Sequence, residues 1–250
     1  MTIEINHLTK RYGNITAVSD LTLQIAQGEF FGFLGPNGAG KTTTIKILAG
    51  LLKPTSGTVR VAGFDIQHQP LEAKRTIGFI PDRPFIYPKL TGREFLKFVA
   101  GLYELESDVC LKRIERLLDM FELTAWGDEL IESYSHGMKQ KLVMSSALLH
   151  QPKVLIVDEP MVGLDPKGAR VVKEIFKRVS QEGTTIFMST HSLEVAEQMC
   201  HRIGIILKGN LIAQGTMGEL QQMAQTSLNR LEDIFLELTG GSEIQEIAMF

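Results

Sequence analysis

The chain has 250 residues, 44% of them hydrophobic and 22% charged, a composition typical of one large globular domain or of one domain with an inserted subdomain. Its 26 basic and 29 acidic residues give a net charge of −3. This balance indicates neither a nucleic-acid partner nor binding to an anionic membrane surface, and we expect no nucleic acid among the partners.

Cysteine usage and hydropathy favour an intracellular protein. Cys110 and Cys200 are the only cysteines, and neither belongs to a C-x-x-C motif or a histidine cluster, so no disulfide framework or zinc site is predicted. The first residues lack the features of a signal peptide, and no apolar run approaches the ~20 residues that cross a bilayer. We therefore expect a cytosolic protein that does not itself form a channel.

The N-terminal part of the chain predicts strands that lead into a glycine-rich loop. Residues 3–8 and 15–25 alternate apolar and polar residues around the turn-forming Gly13, which predicts an antiparallel pair. Residues 30–34 predict a short buried strand, and residues 44–50 carry apolar side chains at helical spacing. The loop therefore lies between a strand and a helix.

This loop matches G-x-x-x-x-G-K-[ST], the pattern of a nucleotide phosphate-binding loop. Its glycines let backbone N–H groups point inward, and the following helix adds its positive N-terminal end. Lys41 is predicted to reach the terminal phosphates, and the Thr42 hydroxyl to be a ligand of the Mg²⁺ that accompanies ATP. A glycine-rich turn that binds nothing is the alternative, which the complete pattern disfavours. The predicted phosphate-binding residues are Gly35, Pro36, Asn37, Gly38, Ala39, Gly40, Lys41, Thr42 and Thr43.

The middle of the chain predicts an inserted helical subdomain. From about residue 91 to 150 the strand-like alternation disappears, and Thr91 with Glu94 forms the capping box of a first helix. An apolar stripe expected in the core follows at Ile114, Leu117, Leu118 and Phe121.

On either side of this segment the pattern alternates strands with helices, which is typical of parallel strands buried on both faces. The predicted strands are 58–61, 77–80, 154–157, 185–188 and 203–207, the helices about 167–180 and 193–200, followed by an edge hairpin at 210–214 and two short helices within 216–238.

Two adjacent carboxylates, Asp158 and Glu159, follow the strand at 154–157. Beside the phosphate-binding loop, Asp158 would hold Mg²⁺ directly or through water, and Glu159 would orient and polarise an attacking water. A turn or helix cap is the alternative for Asp158. The acid next to it disfavours that alternative, because two carboxylates repel each other at a strand end.

Three other positions carry a structural and a functional interpretation at once. Asp165 precedes a proline, the pattern of a helix N-cap, and follows the strand that carries Asp158. His191 directly follows a strand, and taken alone it is more often a loop histidine than a catalytic one. Ser135 predicts the cap of a helix whose N-terminus would offer N–H donors to an anion, and the residues alone leave open whether it is more than a cap.

Together these motifs resemble those of an ABC-type ATPase subunit over nearly the whole chain. Residues 35–42 match the Walker A motif and residues 154–159 the Walker B motif with its catalytic glutamate. Residues 135–140 align with the family signature, usually written LSGGQ, and residues 163–165 with the D-loop. The signature between the two Walker motifs separates ABC proteins from other phosphate-loop ATPases.

The resemblance implies a role for each matched residue. Tyr12 stacks on adenine, Val18 is a further nucleotide contact, and His191 is the switch histidine. The implied catalytic residues are Glu159, His191 and Lys41, the implied metal ligands are Thr42, Asp158 and Asp82, and the implied nucleotide contacts outside the phosphate-binding loop are Tyr12, Val18, Ser135, Gly137 and Asp165.

The resemblance also implies the fold, an α/β P-loop NTPase (RecA-like) core with an antiparallel β subdomain and an inserted α-helical subdomain. The expected domain covers residues 1–240, with the core at about 1–88 and 151–215, the helical subdomain at about 89–150, and a C-terminal helical tail at 216–250. The tail sequence at 231–240 resembles an exporter-type subclass in which the ATPase and the membrane permease are separate chains.

The sequence departs from the family pattern at three positions. Asp82 stands where glutamine commonly reaches toward the metal and the attacking water, so it is shorter and charged. His136 replaces the residue after the signature serine, and Met138 replaces the final glutamine, whereas Ser135 and Gly137 are kept. We expect contact with the phosphates to survive and contact with the sugar to differ.

The family mechanism predicts the partners. Two subunits face head to tail, so that the phosphate-binding loop of one and Ser135 and Gly137 of the other enclose each ATP. We expect ATP and Mg²⁺ as cofactors. The expected partners are a second ABC ATPase subunit, with a homodimer expected, and an integral-membrane permease. The expected location is cytoplasmic, peripheral on the inner face of the cell membrane.

The loop around Asp82, Arg83, Phe85, Ile86 and Tyr87 is a predicted docking surface for that permease, because two aromatics and an isoleucine lie in a proline-bounded loop. Packing of these side chains beneath the helical subdomain is the alternative.

Three other functions remain as alternatives. An ABC ATPase in DNA repair or ribosome-associated work would usually carry two ATPase halves, coiled-coil or zinc insertions, which this chain lacks. A phosphate-loop kinase would not predict the signature. A GTPase would carry the guanine-binding motif N-K-x-D, which is absent from the sequence.

Overall fold

The computed structural model describes residues 1–224 and 230–239. The strands are β1 (Ile3–Tyr12), β2 (Ile15–Ile25), β3 (Phe30–Leu34), β4 (Ser56–Val61), β5 (Phe64–Asp65), β6 (Ile77–Ile80), β7 (Val154–Asp158), β8 (Thr185–Thr190), β9 (Arg202–Leu207) and β10 (Asn210–Gly215). The helices are α1 (Lys41–Leu48), α2 (Pro70–Arg75), α3 (Gly92–Leu102), α4 (Ser107–Met120), α5 (His136–Leu148), α6 (Pro166–Gln181), α7 (Leu193–Met199), α8 (Met217–Met223) and α9 (Leu231–Thr239).

Two sheets organise these elements. The first is antiparallel between β1 and each of its neighbours, in the order β2-β1-β4-β5, which confirms the predicted N-terminal pair. The second has the order β10-β9-β3-β8-β7-β6, with β9, β3, β8, β7 and β6 parallel and β10 antiparallel at its edge. The parallel strands and the edge hairpin are therefore as predicted, and the fold class is confirmed.

The second sheet is buried on both faces, which explains the continuous apolar runs of its strands. Every residue of β3, β7 and β8 is buried. One face packs against the helices of residues 92–148 together with α6 and α7, and the other packs against α1 and the four-stranded sheet. The carboxyl ends of the parallel strands therefore meet at one edge of the sheet, next to the start of α1.

The segment from 91 to 150 is helical, as predicted. The Thr91 hydroxyl accepts a hydrogen bond from the Glu94 N–H, and the Glu94 carboxylate accepts one from the Thr91 N–H, so the capping box is present. The predicted apolar stripe at 114–121 is buried, and it packs with residues of β6 and β7 in one continuous cluster. The exact domain boundaries remain a prediction.

The C-terminal part contains α8 and α9, which confirms two short helices between 216 and 239, and α9 packs against α7. The remainder of the predicted tail, residues 225–229 and 240–250, lies outside the described residues. Among the helices that are described, none is long and apolar enough to cross a bilayer.

His150 lies where the helical segment meets the second sheet. Its ring stacks on Tyr103, with 3.8 Å between centroids, and its Nε2 is 3.1 Å from the Ile77 carbonyl oxygen. Nδ1 is buried and has no partner in the described part of the chain. Burial lowers the pKa of His150 to about 4, because protonation would leave a buried N–H without an acceptor.

His150 should therefore make the free energy of unfolding depend on pH. In the unfolded state His150 binds a proton near pH 6.5, and in the folded state it does so only near pH 4. Its contribution to the free energy of unfolding is therefore fully present above pH 6.5 and is lost as the pH decreases from 6.5 to 4. We expect His150 to account for up to about 3 kcal/mol of this loss. Urea unfolding of wild type and His150→Gln at pH 7.5 and 4.5 measures it, with the exposed His68→Gln as control. Identical pH dependence in all three proteins would contradict the prediction.

Candidate functional site

The glycine-rich loop between β3 and α1 is shaped by close backbone contacts. Gly38 and Gly40 have φ angles of +78° and +110°, which residues with a side chain rarely adopt. A Cβ on Gly40 would lie 2.4 Å from the Ala17 carbonyl oxygen, and one on Gly35 would lie 2.2 Å from the Ile206 carbonyl oxygen. Within residues 1–224 and 230–239, no side chain caps the start of α1. Its first N–H groups are therefore available to an anion.

Lys41 is the first residue of α1 and is almost completely buried. Its Nζ donates hydrogen bonds to the carbonyl oxygens of Gly35 (2.5 Å) and Pro36 (3.0 Å). Burial lowers the pKa of Lys41, and the nearby carboxylates of Glu159 and Asp158 oppose this effect. The ammonium group is thus poorly solvated and lies close to the place where phosphates would bind.

A cavity of about 500 Å³ opens over this loop. Ten of the predicted site residues line it, which are Asn37, Gly38, Gly40, Lys41, Thr42, Thr43, Asp82, Asp158, Glu159 and His191. The other predicted residues do not line it: Tyr12, Val18, Gly35, Pro36, Ala39, Ser135, Gly137 and Asp165. The site thus combines the loop with the ends of β6, β7 and β8.

Asp158 ends β7 and is buried in the floor of the cavity. Its carboxylate accepts a hydrogen bond from the Ser189 hydroxyl. Burial raises the pKa of Asp158, the negative charges of Asp82 and Glu159 raise it further, and hydrogen bonds from Ser189 and Thr42 oppose the increase. Three carboxylates and the Thr42 hydroxyl are therefore close together.

Glu159 is held by two side chains from the end of β8. Its Oε1 is 2.9 Å from His191 Nδ1, and its Oε2 accepts a hydrogen bond of 3.2 Å from the Thr190 hydroxyl. The Glu159 backbone has a φ of +49°, uncommon for a residue other than glycine, and its N–H donates to the Ser189 carbonyl oxygen. The structure thus brings Glu159 and His191 together, although taken alone His191 is more often a loop histidine.

Both predicted helix caps are present. The Asp165 carboxylate accepts a hydrogen bond from the Gly168 N–H at 2.9 Å, and the Ser135 hydroxyl accepts one from the Met138 N–H at 3.3 Å. Ser135 is exposed and does not line the cavity of its own chain. Capping therefore explains both residues within a single chain, and any further role needs a second chain.

Tyr12 and Val18 lie on the four-stranded sheet. Tyr12 is the last residue of β1 and half exposed, and the Lys10 ammonium lies 5.1 Å from the centroid of its ring. Val18 is completely buried in β2, and a Cβ on Gly40 would lie 3.4 Å from its Cγ2. Val18 thus supports the phosphate-binding loop from below, while the Tyr12 ring is open to solvent.

Four residues that were not among the predicted site residues also line the cavity, namely Ala17, Arg83, His136 and Val162. His136 packs tightly on the D-loop, because a Cβ on Gly163 would lie 2.1 Å from its Cδ2. Arg83 follows Asp82 directly in the sequence, and that adjacency is the only sequence signal for its position.

The sequence profile of the family described as ABC transporter matches residues 18–162. The chain belongs to the ABC transporter family. Linearmycin resistance ATP-binding protein LnrL of Bacillus subtilis (strain 168) is 38% identical over 218 residues, which are 87% of this chain and 70% of LnrL. Nod factor export ATP-binding protein I of Paraburkholderia xenovorans (strain LB400) is 37% identical over 218 residues, 87% of this chain and 72% of that protein.

Solved structures of ABC proteins have the same fold. One described as the ATP binding subunit of an ABC transporter has a TM-score of 0.91 and 32% identity, covering 96% of this chain and 100% of that one. A dimeric post-hydrolysis state of the ATP-binding cassette MJ0796, bound to ADP and Pi, has a TM-score of 0.78 and 26% identity, covering 86% and 98%. This ABC transporter subunit is thus an ATP-binding protein and an ATPase.

Proposed function

We propose that two copies of this chain form a head-to-tail dimer around two ATP molecules and drive export through a separate membrane permease. The observation that carries the proposal is the composition of the cavity, which unites the phosphate-binding loop with Glu159 but does not include Ser135 and Gly137 at the start of α5. One chain therefore offers half of an enclosure. The dimeric MJ0796 structures support the assembly, and the relatives named for resistance or export support the direction.

Within one chain, the loop N–H groups and Lys41 bind the β- and γ-phosphates, and Glu159 takes a proton from the attacking water. His191 and Thr190 fix the orientation of the Glu159 carboxylate through their hydrogen bonds. Outside the cavity, the exposed Tyr12 ring offers a stacking surface to adenine.

Mg²⁺ fits the donor set of the site. Thr42, Asp158 and Asp82 would hold it, since hydroxyl and carboxylate oxygens are its preferred protein ligands and a cation there would offset the charges of Asp82 and Glu159 that raise the pKa of the buried Asp158. Among the described residues no group of three or more His, Cys, Asp or Glu is arranged to hold a metal ion, and the proposed set accordingly has two carboxylates and one hydroxyl. When bound, Mg²⁺ would neutralise charge that develops on the phosphates, and these three residues would hold it beside them.

The partner chain contributes the start of α5. Ser135 and Gly137 lie at this N-terminus, where backbone N–H groups and the helix dipole favour an anion. In the proposed dimer they contact the γ-phosphate bound to the other chain, and Asp165 of the D-loop lies at the same interface. The γ-phosphate then joins the two chains, and hydrolysis releases them.

The permease is proposed to dock on the aromatic loop after β6. Phe85 is 86% exposed, and Tyr87 is half exposed with its ring against Phe98, 5.4 Å between centroids. Ile86 instead packs against the core, and Asp82 and Arg83 line the nucleotide cavity. The proposed docking surface is therefore Phe85, Tyr87 and Phe98. With the permease docked there, the subunit lies at the cytoplasmic face of the membrane.

Co-purification from gently solubilised membranes of the native host tests this proposal. A tagged wild-type chain is expected to recover a multi-span membrane protein in stoichiometric amount, and Phe85→Ala with Tyr87→Ala to lose it while still binding ATP. Leu71→Ala serves as control, because Leu71 is 73% exposed on α2 outside the docking surface.

Recovery from the soluble fraction alone, with ribosomes or nucleic acid, would instead favour a non-transport ABC ATPase. Retention of the membrane protein by the double variant would reject this docking surface only. Membership of the ABC family already removes the kinase and GTPase alternatives.

A further inference from the structure

Arg83 is a cation in the nucleotide cavity that no motif assigns. The cavity lining contains two cationic side chains, Lys41 and Arg83, and three carboxylates, Asp82, Asp158 and Glu159. Arg83 is exposed and forms no ion pair or hydrogen bond with any residue in the described ranges, not even with the neighbouring Asp82. Its guanidinium group is therefore free to bind a ligand.

The position of Arg83 follows from the sheet. Strands β6 and β7 are parallel, and Ile80 pairs with Val157 at their carboxyl ends. The chain beyond β6 therefore leaves the sheet at the same edge as Glu159, and Asp82 and Glu159 are each two residues beyond the last pair. Arg83 also precedes Pro84, which restricts its backbone to extended conformations. The segment thus presents Arg83 from a defined place beside the acids.

The other cation is already engaged. Lys41 donates hydrogen bonds to the carbonyl oxygens of Gly35 and Pro36, and two carboxylates lie near its ammonium group. ATP brings further negative charge into the same space, and the terminal phosphate carries more of it than either of the other two phosphates. A planar guanidinium group matches two phosphate oxygens at once, which a lysine ammonium does not.

We propose that Arg83 binds the terminal phosphate of ATP and offsets the additional negative charge of Asp82. The proposal rests on the function proposed above and deepens it, because it assigns a second phosphate-binding cation to the same site. Since ADP lacks the γ-phosphate, Arg83 should distinguish ATP from ADP.

Calorimetric titration of ATP and ADP in the presence of Mg²⁺ tests the proposal, with Glu159→Gln as the common background to prevent turnover. Arg83→Ala should weaken ATP binding by about tenfold or more and ADP binding by less than about threefold. The affinity loss of Arg83→Lys should fall between these values, because lysine retains the positive charge but not the planar guanidinium group that matches two phosphate oxygens. Arg60→Ala, an exposed arginine on β4 of the other sheet, is the matched control and should bind both nucleotides normally.

A second pair of proteins separates phosphate binding from neutralisation of Asp82. In the Asp82→Asn background, Arg83→Ala should still weaken ATP binding relative to ADP. Full recovery of ATP binding there, or equal effects on ATP and ADP, would overturn the proposal. If the wild-type site binds neither nucleotide, the proposed function itself fails, whereas normal ATP binding by Arg83→Ala rejects only the role of Arg83.

Discussion

Glu159→Gln is expected to stop ATP hydrolysis while leaving ATP bound between two chains. The carboxylate lies beside the phosphate-binding loop and is held by His191 and Thr190, so it is positioned to accept the proton of an attacking water. Glutamine keeps the length of the side chain and an oxygen that can still accept the Thr190 hydrogen bond, but it has no basic carboxylate. We expect turnover to fall by about 10²–10⁴-fold.

Phosphate release measures the loss of turnover, and light scattering after gel filtration in Mg²⁺ and ATP measures the dimer. Glu182→Gln is the matched control, since Glu182 follows α6 and precedes β8 and therefore lies at the opposite edge of the sheet. It should hydrolyse ATP at the wild-type rate. A Glu159→Gln protein that keeps normal turnover would remove Glu159 from its role, and one that stays monomeric with ATP would contradict the proposed dimer.

The sequence predicts most of the architecture because local patterns decide it. The continuous apolar runs at 154–157 and 185–188 are typical of strands buried on both faces, and both strands are completely buried in the structure. The capping box at Thr91 and the caps at Ser135 and Asp165 depend on neighbours three residues away, so the residues themselves fix them. The phosphate-binding loop is likewise a local structure.

Contacts between distant segments are what the sequence does not predict. Glu159 meets His191 because β7 and β8 are parallel, with Asp158 opposite Ser189. Two side chains more than thirty residues apart come together through that register. Arg83 enters the cavity for the same reason, through the register of β6 and β7.

Packing between distant backbone segments also places two side chains in environments that the sequence does not predict. Val18 matches an expected nucleotide contact, yet it is completely buried beneath the loop because β2 runs under Gly40. His136 departs from the family signature, and the glycine at 163 provides the space for its ring. In both cases the packing of one backbone against another, which no periodicity encodes, decides where the side chain lies.

Lys41→Ala is expected to weaken ATP binding strongly with little loss of stability. Burial disfavours the charged ammonium group in the absence of nucleotide, and within the described residues its hydrogen bonds go only to the two loop carbonyls. The Glu159 and Asp158 carboxylates lie near it without forming a salt bridge, so a phosphate in direct contact would supply much of its interaction energy on binding. Loss of one charged hydrogen-bonding group corresponds to about 10- to 100-fold weaker affinity.

Equilibrium titration with ATP measures this affinity, and thermal unfolding without nucleotide shows whether the fold survives. Lys46→Ala is the matched control, because Lys46 is on the same helix but exposed, and it should bind ATP as the wild type does. Addition of ATP should raise the unfolding temperature of the wild type and of Lys46→Ala, since a ligand of the native state stabilises it. An equal rise for Lys41→Ala would mean that the loop N–H groups and Mg²⁺ suffice to hold the phosphates, and that the buried lysine instead serves the fold.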